Sequence, residues 1–329
     1  MRTRLHSRIG HIAAPIVVLA TAALVVSGCA SSEPTEKPAT PTATSALAAV
    51  AAFPVAITAK NGPVMLSSQP KKIVSLSPTA TEDLFAIGAG SQVVAVDVQS
   101  NFPTAAPKTD LSGFKASVEA ISKYNPDRVI VADDMSKIVE QLTKVGVPVF
   151  LDDPATSLDD AYAQITQLGK ATGHADGAAA VVADMKAKIA VAVASVKKPA
   201  TPLTYYYEVG NAPYFGATSK TFIGSIFSQF GLTNIADAAE TANSGYPQLS
   251  DEYIVKAAPD LVFLDDTLCC RQTSATVVAR PGWAQVPAVT NATAKGTVVG
   301  MSDDVASRWG PRLVDLVQQI AGAVNKAQG

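Results

Sequence analysis

Residues Glu119 to Asp127 read EAISKYNPD, and Glu252 to Asp260 read EYIVKAAPD. The pattern Glu-x-Ile-x-Lys-x-x-Pro-Asp therefore occurs twice, some 130 positions apart. Each copy runs into an apolar stretch, RVIVADD after the first and LVFLDD after the second, and seven residues coincide over fifteen aligned positions. Within each copy a short helical run meets a proline, which has no N–H and cannot continue the helix. A short, β-rich apolar run then follows, of the kind found in strands covered on both faces. One such joint could be any α/β turn. Two of them with matching residues predict two similar halves.

The surrounding pattern agrees. KKIVSLS, SQVVAVD and PVFLDD read as further buried strands, separated by the helical runs TATEDLFAIGAG and SKIVEQLTKVGV, and SLDDAYAQITQLGKATG follows as an amphipathic helix. Strands alternating with helices indicate parallel βα units. Thr79 followed three residues later by Glu82 suggests a capping box. FPVAITAKNGPVMLSS suggests a hairpin turning at Asn61-Gly62. The Ala-rich run from Ala175 to Ser195 has no proline and no glycine after Gly177, so it reads as one helix of about 30 Å. After Pro199 and Pro202 the α/β pattern restarts with LTYYYEV and SKTFIGSIFSQFG. The expected organisation is a first α/β lobe over residues 53–173, a linking helix over 174–198 and a second α/β lobe over 199–329. The expected fold class is α/β, with two Rossmann-like lobes of parallel-rich sheet joined by a single long helix.

The amino terminus carries a different message. Arg2, Arg4 and Arg8 precede an apolar run and then small residues, the layout of a secretory signal over residues 1–28. Val26-Ser27-Gly28-Cys29 resembles the lipobox of bacterial lipoproteins, which implies cleavage before Cys29 and lipid modification of its thiol and amino group. The small, Pro/Thr/Ala-rich stretch over residues 29–52 reads as a flexible tether. The expected location is the outer face of the cell membrane, or the periplasm, held by acyl chains alone at Cys29. The formal charge is −2, and loss of the three signal arginines takes it to −5. A mildly acidic surface argues against nucleic acid as a partner. His6 and His11 leave with the signal, so only His174 remains, and a zinc site built from several histidines is excluded. A Ser-His-Asp triad would have to rest on His174, which has no nucleophile signature near it. The chain shows neither a phosphate-cradling glycine loop nor a nucleophile elbow, so an exported enzyme on this frame is the rival class rather than the leading one.

KKIVSLSPTATEDLFAIGAG, NPDRVIVADD, YPQLSDEYIVKAAPDLVFL and GWAQVPAVTNATAKGTVVGM together resemble the substrate-binding proteins of ABC importers that handle cobalamin and ferric siderophores. The resemblance covers nearly all of the chain beyond the tether. It implies a non-enzymatic, monomeric receptor that holds its ligand in a cleft between the lobes and hands it to a permease dimer with its ATPase. By motif it also implies that Glu119 and Glu252 enter arginine pockets on the two permease subunits. The receptor needs no cofactor of its own; cobalamin or a ferric chelate is its cargo.

In open α/β sheets ligands bind beyond the carboxyl ends of the strands. In the first lobe this points to Ser77, Thr79, Ser100 and Asn101, together with Phe102, Phe114 and Lys115. In the second it points to Tyr214, Phe215, Tyr246 and Gln248, together with Asp304, Arg308 and Trp309. Asp304 and Arg308 have the four-residue spacing of an acid and an arginine that meet the ligand in vitamin B12-binding members. The chain departs from some of those members in carrying Gly113 in place of a tryptophan, and Gln99 where a tyrosine can stand. Arg308 and Lys115 would equally suit an anionic ferric siderophore, and haem would need a Tyr or Met ligand. Trp283 is expected to cap the core. Cys269 and Cys270 are adjacent, and either a vicinal disulfide or two free thiols fits an exported setting.

Overall fold

The computed structural model describes residues 53–329. The expected signal peptide, the lipidation site Cys29 and the tether over 29–52 lie outside the described residues. A hairpin of β1 (Val55–Ala59) and β2 (Gly62–Leu66) comes first, and Ala59 faces Gly62 across it. The turn is therefore Lys60-Asn61, one residue earlier than the sequence pattern suggests. The Asn61 side chain supplies the reason. Its amide donates to the Val149 carbonyl at 3.0 Å and accepts from the Leu151 N–H at 3.2 Å, which ties the hairpin to the neighbouring sheet.

That sheet is built from β3 (Ile73–Leu76), followed by α1 (Pro78–Ala86), β4 (Val93–Val96), α2 (Val118–Ser122), β5 (Arg128–Val131), α3 (Ile138–Lys144) and β6 (Val149–Leu151). Its strands run parallel in the order β4-β3-β5-β6. Then come α4 (Leu158–Thr172) and the 20-residue α5 (Ala175–Ala194). The second half contains β7 (Thr204–Asn211), β8 (Tyr214–Gly216), α6 (Phe222–Ser228), β9 (Thr233–Asn234), β10 (Gln248–Leu249), α7 (Asp251–Ala257) and β11 (Leu261–Leu264). It continues through α8 (Ser274–Val278), α9 (Pro287–Thr290), α10 (Ala292–Lys295), β12 (Val298–Gly300), α11 (Asp303–Ala306) and α12 (Leu313–Gln328). Its sheet has the order β10-β8-β7-β11-β12, with β9 also on β7; β7, β11 and β12 are parallel, while β8 and β10 are antiparallel additions at one edge. Among the described residues no helix is long and apolar enough to cross a membrane.

The repeated motif occupies matching places, α2 into β5 and α7 into β11, and each of these strands pairs in parallel with the first strand of its sheet, β3 or β7. Ile121 and Ile254 are fully buried. Asn125 and Ala258, just before the prolines, both take the left-handed conformation at φ 48°. The Asp127 carboxylate accepts from the Lys71 and Lys72 N–H groups at 2.7 and 3.1 Å; Asp260 accepts from the Thr204 N–H and hydroxyl at 2.8 and 2.9 Å. Ile, Pro and Asp of the motif thus form a helix-to-strand joint stapled to the adjacent strand. Glu119 and Glu252 stay exposed in the first turns of their helices, where the dipole favours an acid.

The capping of α1 differs from expectation. Ser77 is the N-cap, its Oγ accepting from the Ala80 N–H at 3.2 Å, because Pro78 suits the first helical position and moves the cap one residue ahead of it. Thr79 lies inside the helix, and Glu82 turns away from the helix end to pair elsewhere.

Helix α5 packs on both α4 and α12, so it touches both halves. Near its start a Cβ on Gly177 would stand 2.2 Å from the Ile87 carbonyl oxygen. Helix propensity alone favours Gly177→Ala by about 1 kcal/mol. The close backbone approach reverses the sign, and a net loss of about 1–3 kcal/mol is expected from overpacking. A denaturation midpoint at or above wild type would contradict that contact.

Candidate functional site

Loops leaving the carboxyl ends of the parallel strands enclose two cavities of about 320 and 560 Å³. The smaller is lined from the first half by Ser77, Thr79, Asp97, Gln99, Gly113, Phe114 and Asp133, and from the second by Asp304, Ser307, Arg308 and Trp309. The larger is lined by Pro154 to Thr156 from the first half and by Tyr207, Lys220, Phe222, Tyr246, Asp265 and Trp309 from the second. Ser307 and Trp309 belong to both, so the 307–309 segment is their shared wall. The Trp309 ring meets Phe222 edge-on at 6.2 Å, and its buried indole N–H has no acceptor among the described residues.

The expected site residues divide accordingly. Ser77, Thr79, Phe114, Asp304, Arg308 and Trp309 converge on the smaller cavity, and Tyr246 joins Trp309 at the larger. Phe102 lies beside them in a third hollow of about 250 Å³ with Glu82, its ring 4.3 Å from the Arg312 guanidinium. The remaining residues line neither main cavity. Ser100 is buried, its hydroxyl 3.0 Å from that of Thr81. Lys115 is exposed on its loop. Tyr214 packs 5.7 Å from the buried Trp283, and Phe215 faces Gln248 across the β8–β10 pair. Strands β8 and β10, added antiparallel beside β7, hold these three outside both cavities.

Arg308 is held from four directions. Its Nη1 donates to Glu82 Oε1 and to Asn101 Oδ1, each at 2.9 Å; its Nη2 donates to the Gln99 carbonyl and to Asp304 Oδ1, each at 2.8 Å. Asn101 closes the ring by donating to Asp304 at 2.7 Å. Arg312 also pairs with Glu82, Nε to Oε2 at 2.8 Å and Nη2 to Oε1. Glu82 and Arg308 are only 3% and 7% exposed. The expected Asp304–Arg308 spacing is thus an ion pair in a lattice that bolts α1 of the first half to the last loop and helix of the second. Glu82, its centre, escaped the sequence reading because an acid three residues after Thr79 also fits a capping box.

With Arg308 and Arg312 neutralised, the smaller cavity keeps Asp97, Asp133 and Asp304 against one shared arginine. Burial raises the Asp97 carboxyl, opposed by N–H donors from Gln99 and Ser100. In the larger cavity burial pushes Asp265 up to about 7. Both acids follow directly on a buried strand, a signal present in VVAVD and LVFLD that could have singled them out. At Gly113 a Cβ would stand 3.0 Å from the Leu76 carbonyl oxygen, a tight contact that a side chain there would have to push aside; Phe114, 68% exposed, supplies the aromatic surface next to it.

His174 packs against Gly88 at the start of α5 and lines neither cavity. The second half carries its own buried pair, Glu208 with Arg280 at 2.6 Å, and Arg280 stacks over Tyr214 and Trp283 at 5.1 and 4.7 Å.

Two α/β halves closing loops around a shared cleft make a solute-binding architecture. The family model described as periplasmic binding protein matches residues 73–296, and the chain belongs to that family. It is 32% identical over 272 residues to the cobalamin-binding protein of Halobacterium salinarum, covering 80% of this chain and 72% of that one. It is 28% identical over 285 residues to an ABC transporter substrate-binding lipoprotein of Bacillus subtilis (strain 168), covering 83% and 86%. Among solved structures, the apo form of a periplasmic heme-binding protein from Roseiflexus sp. RS-1 superposes with a TM-score of 0.68 at 25% identity, over 78% of this chain and 99% of that one. These relatives are binding proteins rather than enzymes, and periplasmic binding proteins of ABC importers work with a permease and its ATPase.

Proposed function

We propose that this protein is a lipid-anchored, monomeric receptor that captures a corrinoid in the cleft and delivers it to an ABC permease dimer. The carrying observation is the state of Arg308. Its guanidinium is committed to Glu82, Asp304, Asn101 and Gln99, so the smaller cavity offers acids and aromatics with its arginine already neutralised, and Lys220 is the cation that lines the larger one. In the smaller cavity such a lining favours a neutral or cationic group over the anionic groups of siderophores and haem propionates. Phe114, Trp309 and Tyr246 supply flat apolar surface for a macrocycle. The cobalamin-binding relative supports the same reading. In this reading Cys29 carries the anchor and the protein works on the outer face of the cell membrane. Glu119 and Glu252, on rigid helices in matching positions, dock on the two permease subunits. A ferric chelate is the second reading: Tyr246, half-exposed at the larger cavity, is a phenol able to ligate iron, and a heme-binding protein shares the fold.

Fluorescence titration tests the assignment. Of the two tryptophans, Trp283 is buried in the core and Trp309 lines both cavities. Cyanocobalamin is expected to give saturable quenching that Trp309→Phe abolishes and Trp283→Phe retains. Tighter binding of haem or an anionic ferric chelate than of cyanocobalamin would overturn the corrinoid reading.

A further inference from the structure

The segment Thr267–Gln272 leaves β11 and carries Cys269 and Cys270, both exposed and both free. Their sulfurs stand 2.6 Å apart, much nearer than two non-bonded sulfurs pack. The loop is tied down on two sides. The Asp303 carboxylate accepts from the Thr267 N–H and hydroxyl at 3.1 and 2.6 Å, from the Leu268 N–H at 2.9 Å and from the Cys269 N–H at 3.3 Å. On the other side the Asp266 carbonyl accepts from the N–H groups of Cys270 and Gln272, each at 3.2 Å, and the Gln272 side chain accepts from Arg280 at 2.9 Å. Asp303 opens α11, whose next residue, Asp304, holds Arg308 and Asn101 at the cleft.

We infer that Cys269 and Cys270 form a thiol-modification site, a vicinal pair that closes to a disulfide and thereby alters the loop holding the ligand cleft. The chemistry is thiol–disulfide exchange with an external disulfide. One cysteine thiolate attacks a sulfur of that disulfide and releases a first thiol; the neighbouring cysteine attacks the mixed disulfide and releases the second. Two cysteine thiols are oxidised, one external disulfide is reduced to two thiols, and the protons pass to solvent or to the leaving thiolates. The adjoining Cys270 thiol first, and burial second, push the Cys269 thiol up to about 12; the exchange runs the same way whichever cysteine attacks first. Both cysteines face solvent, so an external disulfide reaches them without opening the fold.

Ring closure acts on the peptide between the two cysteines. The N–H groups of Cys269 and Cys270 are the ones that bond Asp303 and the Asp266 carbonyl. Turning that peptide disturbs both bonds together, and the contact to Asp303 passes to Asp304 and Arg308. The modification is a property of the loop whatever the cargo. Its effect on affinity rests on the corrinoid reading.

The test uses the full mature protein, reduced and then treated with oxidised glutathione. Trypsin releases residues Ala257–Arg271 as one peptide holding both cysteines, separate from Cys29. Differential alkylation is expected to find both thiols free after reduction and neither free after oxidation, with the peptide mass lower by two hydrogens and no glutathione attached. Amide exchange in 267–272 and 303–309 is expected to differ between the two forms. A lasting glutathione adduct, an intermolecular dimer or two unreacted thiols would overturn the modification site. Unchanged amide exchange in the oxidised form would overturn the coupling, and neither readout needs a ligand. Cyanocobalamin titration of both forms then reads the effect on the cleft, expected as a severalfold affinity difference that Cys269→Ser with Cys270→Ser removes. Equal affinities of the two forms would sink the link to binding and leave the corrinoid assignment standing.

Discussion

Glu82→Ala is expected to destabilise the protein by about 3–5 kcal/mol, because removing one member of a buried ion pair strands the partner charge. Glu82 is 3% exposed and neutralises two arginines together, Arg308 and Arg312. Neither arginine can deprotonate to escape the loss. The Asp304 carboxylate would remain on Arg308 at 2.8 Å, but it is engaged by Asn101 as well. Chemical denaturation measures the result directly. Glu82→Gln, which keeps the side-chain shape and one acceptor oxygen but sets an amide donor against an arginine N–H, is expected to cost less than the alanine variant, since it leaves no cavity. An alanine variant as stable as wild type would show that the lattice does not hold the halves together. The surviving fraction of folded Glu82→Ala should also bind anionic chelates better than wild type, because the cleft gains one uncompensated positive charge.

Charge reversal at both proposed docking positions, Glu119→Arg with Glu252→Arg, is expected to abolish corrinoid uptake while leaving ligand affinity unchanged. Both side chains are exposed. Glu119 makes one surface pair with Lys123 at 3.5 Å, of a kind that contributes under about 1 kcal/mol. Their helices are held by Ile121 and Ile254 on the buried side, so the substitutions spare the fold. A carboxylate entering an arginine pocket makes charge-assisted contacts that reversal turns into repulsion at two places together. Uptake of labelled ligand by cells carrying the variant, set beside a titration of the purified protein, separates the possibilities. Normal uptake would remove both glutamates from docking. Lost uptake with equally lost binding would trace the defect to the cleft instead.

Much of the fold was legible because its signals are local. Short apolar runs, amphipathic helical stretches, the prolines at 126 and 259 and the Ala-rich run all act within a few residues of themselves, and the structure has strands and helices where they stand. The repeated motif carried more, since its Ile, Pro and Asp turn out to be one joint built twice. Two local readings failed for an identifiable reason: the side chain was wanted elsewhere. Asn61 bonds the neighbouring strand, which shifts the hairpin turn, and Glu82 faces two arginines, which leaves the cap to Ser77.

The site was less legible. The rule that ligands meet strand ends led to Ser77, Thr79, Asp304, Arg308 and Trp309, which do share a cavity. It could not separate Phe114, which faces the cavity, from Lys115, its exposed neighbour, because a loop has no fixed period to tell facing from averted side chains. Nor could it exclude Tyr214, Phe215 and Gln248, whose place outside both cavities is set by an antiparallel edge that forms only once β8 and β10 meet.

Residue order alone therefore indicates the α/β elements and the long helix, which are written in short-range patterns of burial and chain stiffness, and the family, which is carried by its matching motifs. Whether Arg308 is a free cation or a bolt is decided only in three dimensions. Its partner Glu82 lies 226 positions away, and no pattern within a helix or strand reports which distant charge will share its burial.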